Sequence, residues 1–329
     1  MLQPIPITND NTALTPVTTF TGHSLELDFP SLHIGVAEYA EGPTGCTAFY
    51  FPQGAVACSV DIRGGSHGTV LTEGRDRLHA ICLAGGSALG LEASAGVTAE
   101  LFAQRGYLTG WTDIPITSGG IIFDYNLQRD NAIYPDKALG RAALKAAMPG
   151  SFPLGRHGAG CSATVGKSLR PSHEGESSGQ GAAFRQIGPT KIAVFTVVNA
   201  VGAIVDRKGR VVRGNLDVAT GERHHLVEGL ESNLIAAQQA EPAPGNTTLT
   251  VVVTNQRLNL DRGLAWSLRQ FARLVHTSMA RAIQPFHTIY DGDVLWAVTT
   301  NEVDNPALND VALGAVASEL AWDAVLCCY

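Results

Sequence analysis

Strand-like and helix-like stretches of this chain come in runs, and that grouping limits the fold more than any other feature. Four short alternating segments come first, SLELDF, HIGVAEYA, CTAFYF and AVACSVDIR, between Ser24 and Arg63. Pro and Gly separate them, and they read as strands of a meander. From Arg77 to Arg105 the pattern turns helical and rich in small residues, which lets a helix pack close to its neighbour. Asp136 to Ala147 is a second helix, built from the strong helix formers Ala, Leu, Lys and Arg. A loop-rich stretch runs from Met148 to Gly188. Core strands follow at Lys191 to Val198 and Gly202 to Val205. VEGLESNLIAAQQA is a helix that ends in the breaker EPAPGN, and TTLTVVVT is a strand. LDRGLAWSLRQFARLVHTSMARAIQ is a long amphipathic helix. HTIYDGDVLWAVTT reads as a hairpin with an Asp-Gly turn, and ALNDVALGAVASELAWDAVL as a closing helix. Runs of this kind, without strict βαβ units, predict an α+β layered fold with a largely antiparallel core. No repeat or linker interrupts the pattern, so residues 1–329 are expected to form one domain.

The composition narrows the function. Charged residues make up only 16% against 45% hydrophobic, with 36 Gly, which implies much buried backbone and many tight turns. A net charge of -7, with Lys and Arg scattered, argues against a nucleic-acid partner. The six cysteines sit in apolar runs such as VACSV and AICLAGG without a CxxC pair, and read as buried free thiols. MLQPIPITNDNTAL has no basic n-region or long apolar h-region. The longest uncharged apolar run, Ile192 to Val205, is too short to span a bilayer. A soluble cytoplasmic protein is the expectation.

Several motifs fall away on spacing. GAGCSATVGKS resembles a phosphate loop, but the position that needs glycine holds Cys161, and no strand precedes it. GGSALG lacks the spacing of a serine nucleophile elbow. The ten histidines are dispersed and form no metal-binding pattern. Neither a metal nor a cofactor is expected.

The breaker PAPGN before Thr247 has two readings. In one, a loop ends and a strand begins. In the other, the chain is cut between Asn246 and Thr247, and the new N-terminal threonine is a nucleophile. A threonine hydroxyl needs a base, and its own α-amine supplies one once the chain is cut. That amine has an ordinary pKa of about 7.7–8.0, which suits a base working near neutral pH. Gly245 gives the backbone freedom that such a cut requires.

Over most of its length, from about Leu25 to Val325, the sequence resembles the family of the endo-type 6-aminohexanoate-oligomer hydrolases. The carrying segments are EGPTG, HAICLAGGSALGLEA, YPDKALGRAAL, GQGAAFR, GNTT, IQPFHT, DGD and ASELAWDAVL, in the same order. β-Aminopeptidases and D-stereospecific aminopeptidases are more distant relatives. The resemblance implies an N-terminal-nucleophile hydrolase with a four-layer αββα sandwich, self-cleaved into residues 1–246 and 247–329. It implies a small linear amide substrate, an acyl-enzyme and a homo-oligomer, taken as a tetramer.

The family's site residues fall on Thr247, Lys167, Asn199, Tyr134, Asp291 and Asp293. Tyr134 and Asn199 would act near the oxyanion, Lys167 would keep the amine neutral, and the two aspartates would support self-cleavage, Asp293 more directly. Two segments, SLRPSHEGES and QRLNLDRGLAWSL, depart from the family pattern and leave substrate preference open. An aminopeptidase acting on β- or D-amino acids, an acyltransferase resembling ornithine acetyltransferase, and an uncut binding protein are the alternatives.

Overall fold

The strand Thr247–Gln256 is buried at every position, which requires a layer against each of its faces. The computed structural model describes residues 6–74, 76–126, 129–169, 173–232, 245–258 and 263–329. In it this strand is third in a six-stranded sheet. The order is Gln180–Ile187, Thr190–Asn199, Thr247–Gln256, Val294–Val303, Val56–Ile62 and Arg77–Leu78. Alternate residues face opposite ways. Leu249, Val251 and Val253 meet Phe49, Ile81, Phe195 and Trp296 in a core shared with a second sheet. Val252 packs on the other face with Phe271, Leu320 and Ala321, under the helices Leu264–Ser278 and Asp310–Leu326.

The second sheet has the order His33–Tyr39, Thr44–Tyr50, Ala80–Ala84, Thr117–Ile121 and Thr69–Val70. Helices Glu92–Gln104 and Lys137–Lys145 cover its outer face through Ala93, Val97, Leu139 and Ala143. Helix, sheet, sheet and helix make the four-layer αββα sandwich that the resemblance implies. The small residues of the first helical pair act as expected. A Cβ on Gly140 would lie 2.0 Å from the Ala93 carbonyl oxygen, and one on Gly96 2.3 Å from that of Lys137. Asp136 and Asn309 cap their helices by accepting from the backbone N–H groups of Leu139 and Ala312, each at 2.9 Å.

Four expectations from the pattern are corrected. The first four segments are not a meander. Ser24–Glu26 pairs with Ser151–Pro153, His33–Tyr39 with Thr44–Tyr50, and Val56–Ile62 crosses to the other sheet. AICLA, read as helix, is the buried strand Ala80–Ala84. A short apolar run buried on both faces carries no period to separate strand from helix, and Gly86, at φ 77, turns the chain before the helix begins. DGD is not a hairpin turn. Val294–Val303 pairs with neighbours distant in sequence, parallel to Thr247–Gln256 and antiparallel to Val56–Ile62. Cys327 is exposed, while the other five cysteines are buried, and all six are free. The helix read over 227–240 is described as Leu226–Ser232; residues 233–244 lie outside the described residues. No described helix is long and apolar enough to cross a membrane.

Candidate active site

The parallel pairing of Thr247–Gln256 with Val294–Val303 decides what meets at one end of the sheet. Leu249 is opposite Val294, so the residues just before each, NTT and DGD, lie side by side. Asn246 and Asp291 form an isolated parallel bridge. On the other side Thr247 is opposite Asn199, the last residue of its strand. Strand alternation puts Thr247 on the same face as Leu249 and Val251, toward the junction of the two sheets.

Thr247 is 3% exposed. Its hydroxyl donates to the carbonyl oxygen of the preceding residue, Asn246, at 2.5 Å. The same oxygen accepts the Gly292 N–H at 2.8 Å. Two donors therefore converge on one carbonyl, one of them the hydroxyl of the next residue. Gly292 has to be glycine, because a Cβ there would lie 2.3 Å from the Ser66 carbonyl oxygen. Gly245 has φ 77, and a Cβ there would lie 2.4 Å from the Phe123 ring. Gly292 leaves room for the Ser66 backbone and Gly245 for the Phe123 ring, on either side of Asn246.

Asp291 and Asp293 flank that Gly292 N–H, and both are fully buried. Asp291 Oδ1 accepts from the Val201 N–H at 3.1 Å, and Oδ2 from the Thr288 N–H at 3.0 Å and its hydroxyl at 2.6 Å. Burial pushes the Asp291 carboxyl up, and the charge of Asp293 pushes it the same way. Asp293 Oδ1 accepts the Thr248 N–H at 2.7 Å. Its Oδ2 accepts the His287 N–H at 3.2 Å and lies 2.9 Å from His287 Nδ1.

Asn199 spends its side chain in both directions. Nδ2 donates to the carbonyls of Phe123 at 3.0 Å and Gly245 at 3.1 Å. Oδ1 accepts from the Thr164 N–H at 3.0 Å and from Lys167 Nζ at 3.1 Å. Lys167, buried, thus reaches the residue paired with Thr247. Five of the six residues carried from the family pattern meet at this strand end: Thr247, Asn199, Lys167, Asp291 and Asp293. Tyr134 is placed elsewhere in the network. Its backbone exchanges hydrogen bonds with Asn9, and its side chain packs beside Gly86. Burial and the Glu92 carboxylate raise its phenol pKa. No hydrogen bond joins Tyr134 to Thr247 among the described residues.

One residue in contact with the site has no role in the sequence reading: His287. It lies in the segment IQPFHT, and no spacing signal ties it to Asp293. One triad of metal-ligand type also forms that the dispersed sequence positions do not suggest. Single ligand atoms of His173, Asp217 and His224 lie within 4.8 Å of one another. Asp217 already accepts from the Ala219 N–H at 2.8 Å, as a turn residue does.

The fold belongs to the N-terminal-nucleophile class. It is similar to the L-aminopeptidase/D-Ala-esterase/amidase of Ochrobactrum anthropi, described as a variant of the Ntn-hydrolase fold. The TM-score is 0.63 at 15% identity, covering 94% of this chain and 87% of that one. The chain is a member of peptidase family S58, whose profile matches residues 27–326, and is a hydrolase acting on amide bonds. It is 48% identical to a 6-aminohexanoate-oligomer endohydrolase from Agromyces sp., over 97% of this chain and 89% of the relative. The protein of the same description from Paenarthrobacter ureafaciens gives the same identity and coverage.

Proposed function

We propose that the chain cuts itself between Asn246 and Thr247, and that the freed Thr247 hydrolyses linear amides of ω-amino acids such as 6-aminohexanoate oligomers. The observation that carries this reading is the Thr247 hydroxyl held 2.5 Å from the carbonyl oxygen of Asn246, with Gly292 N–H on that same oxygen. In the first step Thr247 Oγ adds to the Asn246 carbonyl carbon, and the Gly292 N–H stabilises the developing oxyanion. The bond to the Thr247 nitrogen breaks, and that nitrogen takes up the proton the hydroxyl lost. Water then opens the ester and leaves a carboxylate on Asn246 and the hydroxyl on Thr247.

In the second phase the new α-amine is the base. It can accept a proton only while neutral, and the buried Lys167 cation beside Asn199 favours that state. Departure of Gly245 frees Asn199 Nδ2, which now donates to the Gly245 carbonyl, for the oxyanion of a substrate amide. Oγ attacks the amide carbon, the amine leaves with a proton, and water releases the acyl group. The likeness to the 6-aminohexanoate-oligomer endohydrolases supports this substrate class.

Self-association is part of the same reading. An apolar groove of about 460 Å³, lined by Leu71, Leu91, Phe102, Ile114 and Pro115 among others, supports it.

Amine release from 6-aminohexanoate oligomers, compared between wild type and Thr247→Ala, tests the reading. The expected result is turnover by wild type alone. Release only of N-terminal β- or D-amino acids from peptides would replace the substrate assignment. Turnover by the variant would overturn the nucleophile.

A further inference from the structure

We propose that His287 is a positioning residue: its ring holds the Asp293 carboxylate against the backbone of the nucleophile strand, and His276 with Asp61 holds that ring. The proposal rests on the reading of Thr247 as a self-cleaving nucleophile.

Asp293 has two oxygens with different duties. Oδ1 accepts the N–H of Thr248, the residue that follows the nucleophile, at 2.7 Å. Among the described residues Oδ2 meets only His287, through the backbone N–H at 3.2 Å and ring Nδ1 at 2.9 Å. A carboxylate accepts and does not donate, so Nδ1 carries the proton. His287 is one of few non-glycine residues here with positive φ, at 60, a conformation uncommon for a residue with a β-carbon. That conformation accompanies a backbone N–H and a ring N–H from one residue, both on one oxygen.

The ring is held in turn. Phe286 lies against it with centroids 3.9 Å apart. His276 meets it edge-on at 4.4 Å and 82°. His276 comes from the helix Leu264–Ser278 in the outer layer and is fully buried. Its Nδ1 lies 2.9 Å from Asp61 Oδ2, which also accepts Arg63 Nε at 2.7 Å. Nε2 of neither histidine has a protein partner among the described residues, so each ring is anchored through Nδ1. The contacts form one line: Arg63, Asp61, His276, His287, Asp293 and the Thr248 amide. It runs from the end of the strand Val56–Ile62, through the helix Leu264–Ser278, to the strand that begins with Thr247. Without the ring donor, Oδ2 keeps only the longer contact to the His287 backbone N–H at 3.2 Å, and the rotation of Asp293 is held less firmly. Its hold on the Thr248 amide, and through it the Asn246–Thr247 bond, then loosens.

The test separates positioning from packing. His287→Asn keeps a side-chain N–H near the place of Nδ1. His287→Phe keeps an aromatic ring against Phe286 and His276 and the backbone N–H, but has no side-chain donor. Self-cleavage is followed by intact mass after cell-free synthesis, with thermal unfolding of each variant. Positioning predicts that Asn cuts within about tenfold of wild type and that Phe is slower than Asn by about 10- to 100-fold, the loss of one hydrogen bond to a charged group. Phe cutting as fast as Asn, or faster, overturns it in favour of packing. A crystal structure of His287→Phe gives a second reading that does not depend on cutting. Asp293 should leave the Thr248 amide in that variant and stay on it in His287→Asn. Its staying in both overturns the proposal. A wild-type chain that never cuts would sink the self-cleavage reading, while the crystal structures still decide the role of His287.

Discussion

Asp124 and Asp291 are both buried aspartates, and their surroundings differ in one respect. Asp124 has a buried arginine. Arg129 Nη1 lies 2.5 Å from it, with the Thr44 hydroxyl at 2.6 Å and the Gly86 N–H at 2.8 Å. Arg129 also donates to the carbonyls of Gly42 and Ile133 and stacks on Tyr125. Burial still raises the Asp124 carboxyl, with the Arg129 charge working against it. Asp291 has hydrogen bonds but no lysine or arginine pair among the described residues, and its carboxylate neighbour Asp293 raises it further. A buried charge matched by a cation ties loops together. Asp291, buried without such a cation and beside a second carboxylate, holds its proton more readily than an exposed aspartate, which is the state proton-transfer chemistry uses.

Changes on the two sides should therefore separate function from stability. The largest effect is expected from Asp293→Asn. One of its two contacts, with the Thr248 N–H or the His287 N–H groups, would then face an NH₂ group. Self-cleavage should slow by roughly 10²-fold or more, with a smaller loss in denaturant stability than Arg129→Ala causes. A variant that cuts at the wild-type rate would remove Asp293 from the site. Arg129→Ala leaves Asp124 buried without its cation and should cost about 3–5 kcal/mol in urea unfolding. Its folded fraction should still cut at Asn246. An unchanged midpoint would mean that the Asp124 pair is no staple.

Acid should act through the histidine line rather than through Asp124. Burial lowers His276 to about 4, and the charge of His287 adds to that, against the raising effect of Asp61. A histidine lowered in the folded state binds protons first in the unfolded chain. Stability is then intact above the unfolded value of about 6.5 and falls as pH drops toward 4. The loss should approach roughly 3 kcal/mol from this group. Urea midpoints measured between pH 7 and 4 should show it, and His276→Phe should flatten it. A slope unchanged in that variant would assign the acid sensitivity to other groups.

These contrasts also mark what was legible in the sequence. The capped helices at Asp136 and Asn309, the close helix packing at Gly96 and Gly140, and the strand at Thr247 all follow from local signals. The layering follows from the grouping of runs together with the family resemblance. Ala80–Ala84 was misread because a strand buried on both faces has no alternation to display. DGD was misread because Asp-Gly is also a strong turn signal. Here its glycine is required by the Ser66 backbone, and its aspartates accept from the N–H groups of Val201 and Thr248, neither of which is local. The site draws on positions 167, 199, 246–247 and 291–293, so only the resemblance links them in the sequence. His287 shows no periodic signal, since it sits on irregular chain six residues from the carboxylate it holds. Tyr134 was carried over from the family, and burial and the Glu92 carboxylate raise its phenol pKa.

The central claim concerns a single bond, and intact mass under denaturing conditions tests it most directly. The account predicts two species from the purified protein, one ending at Asn246 and one beginning at Thr247, and a single uncut chain from Thr247→Ala. A wild-type chain that remains one species after long incubation near neutral pH would contradict it.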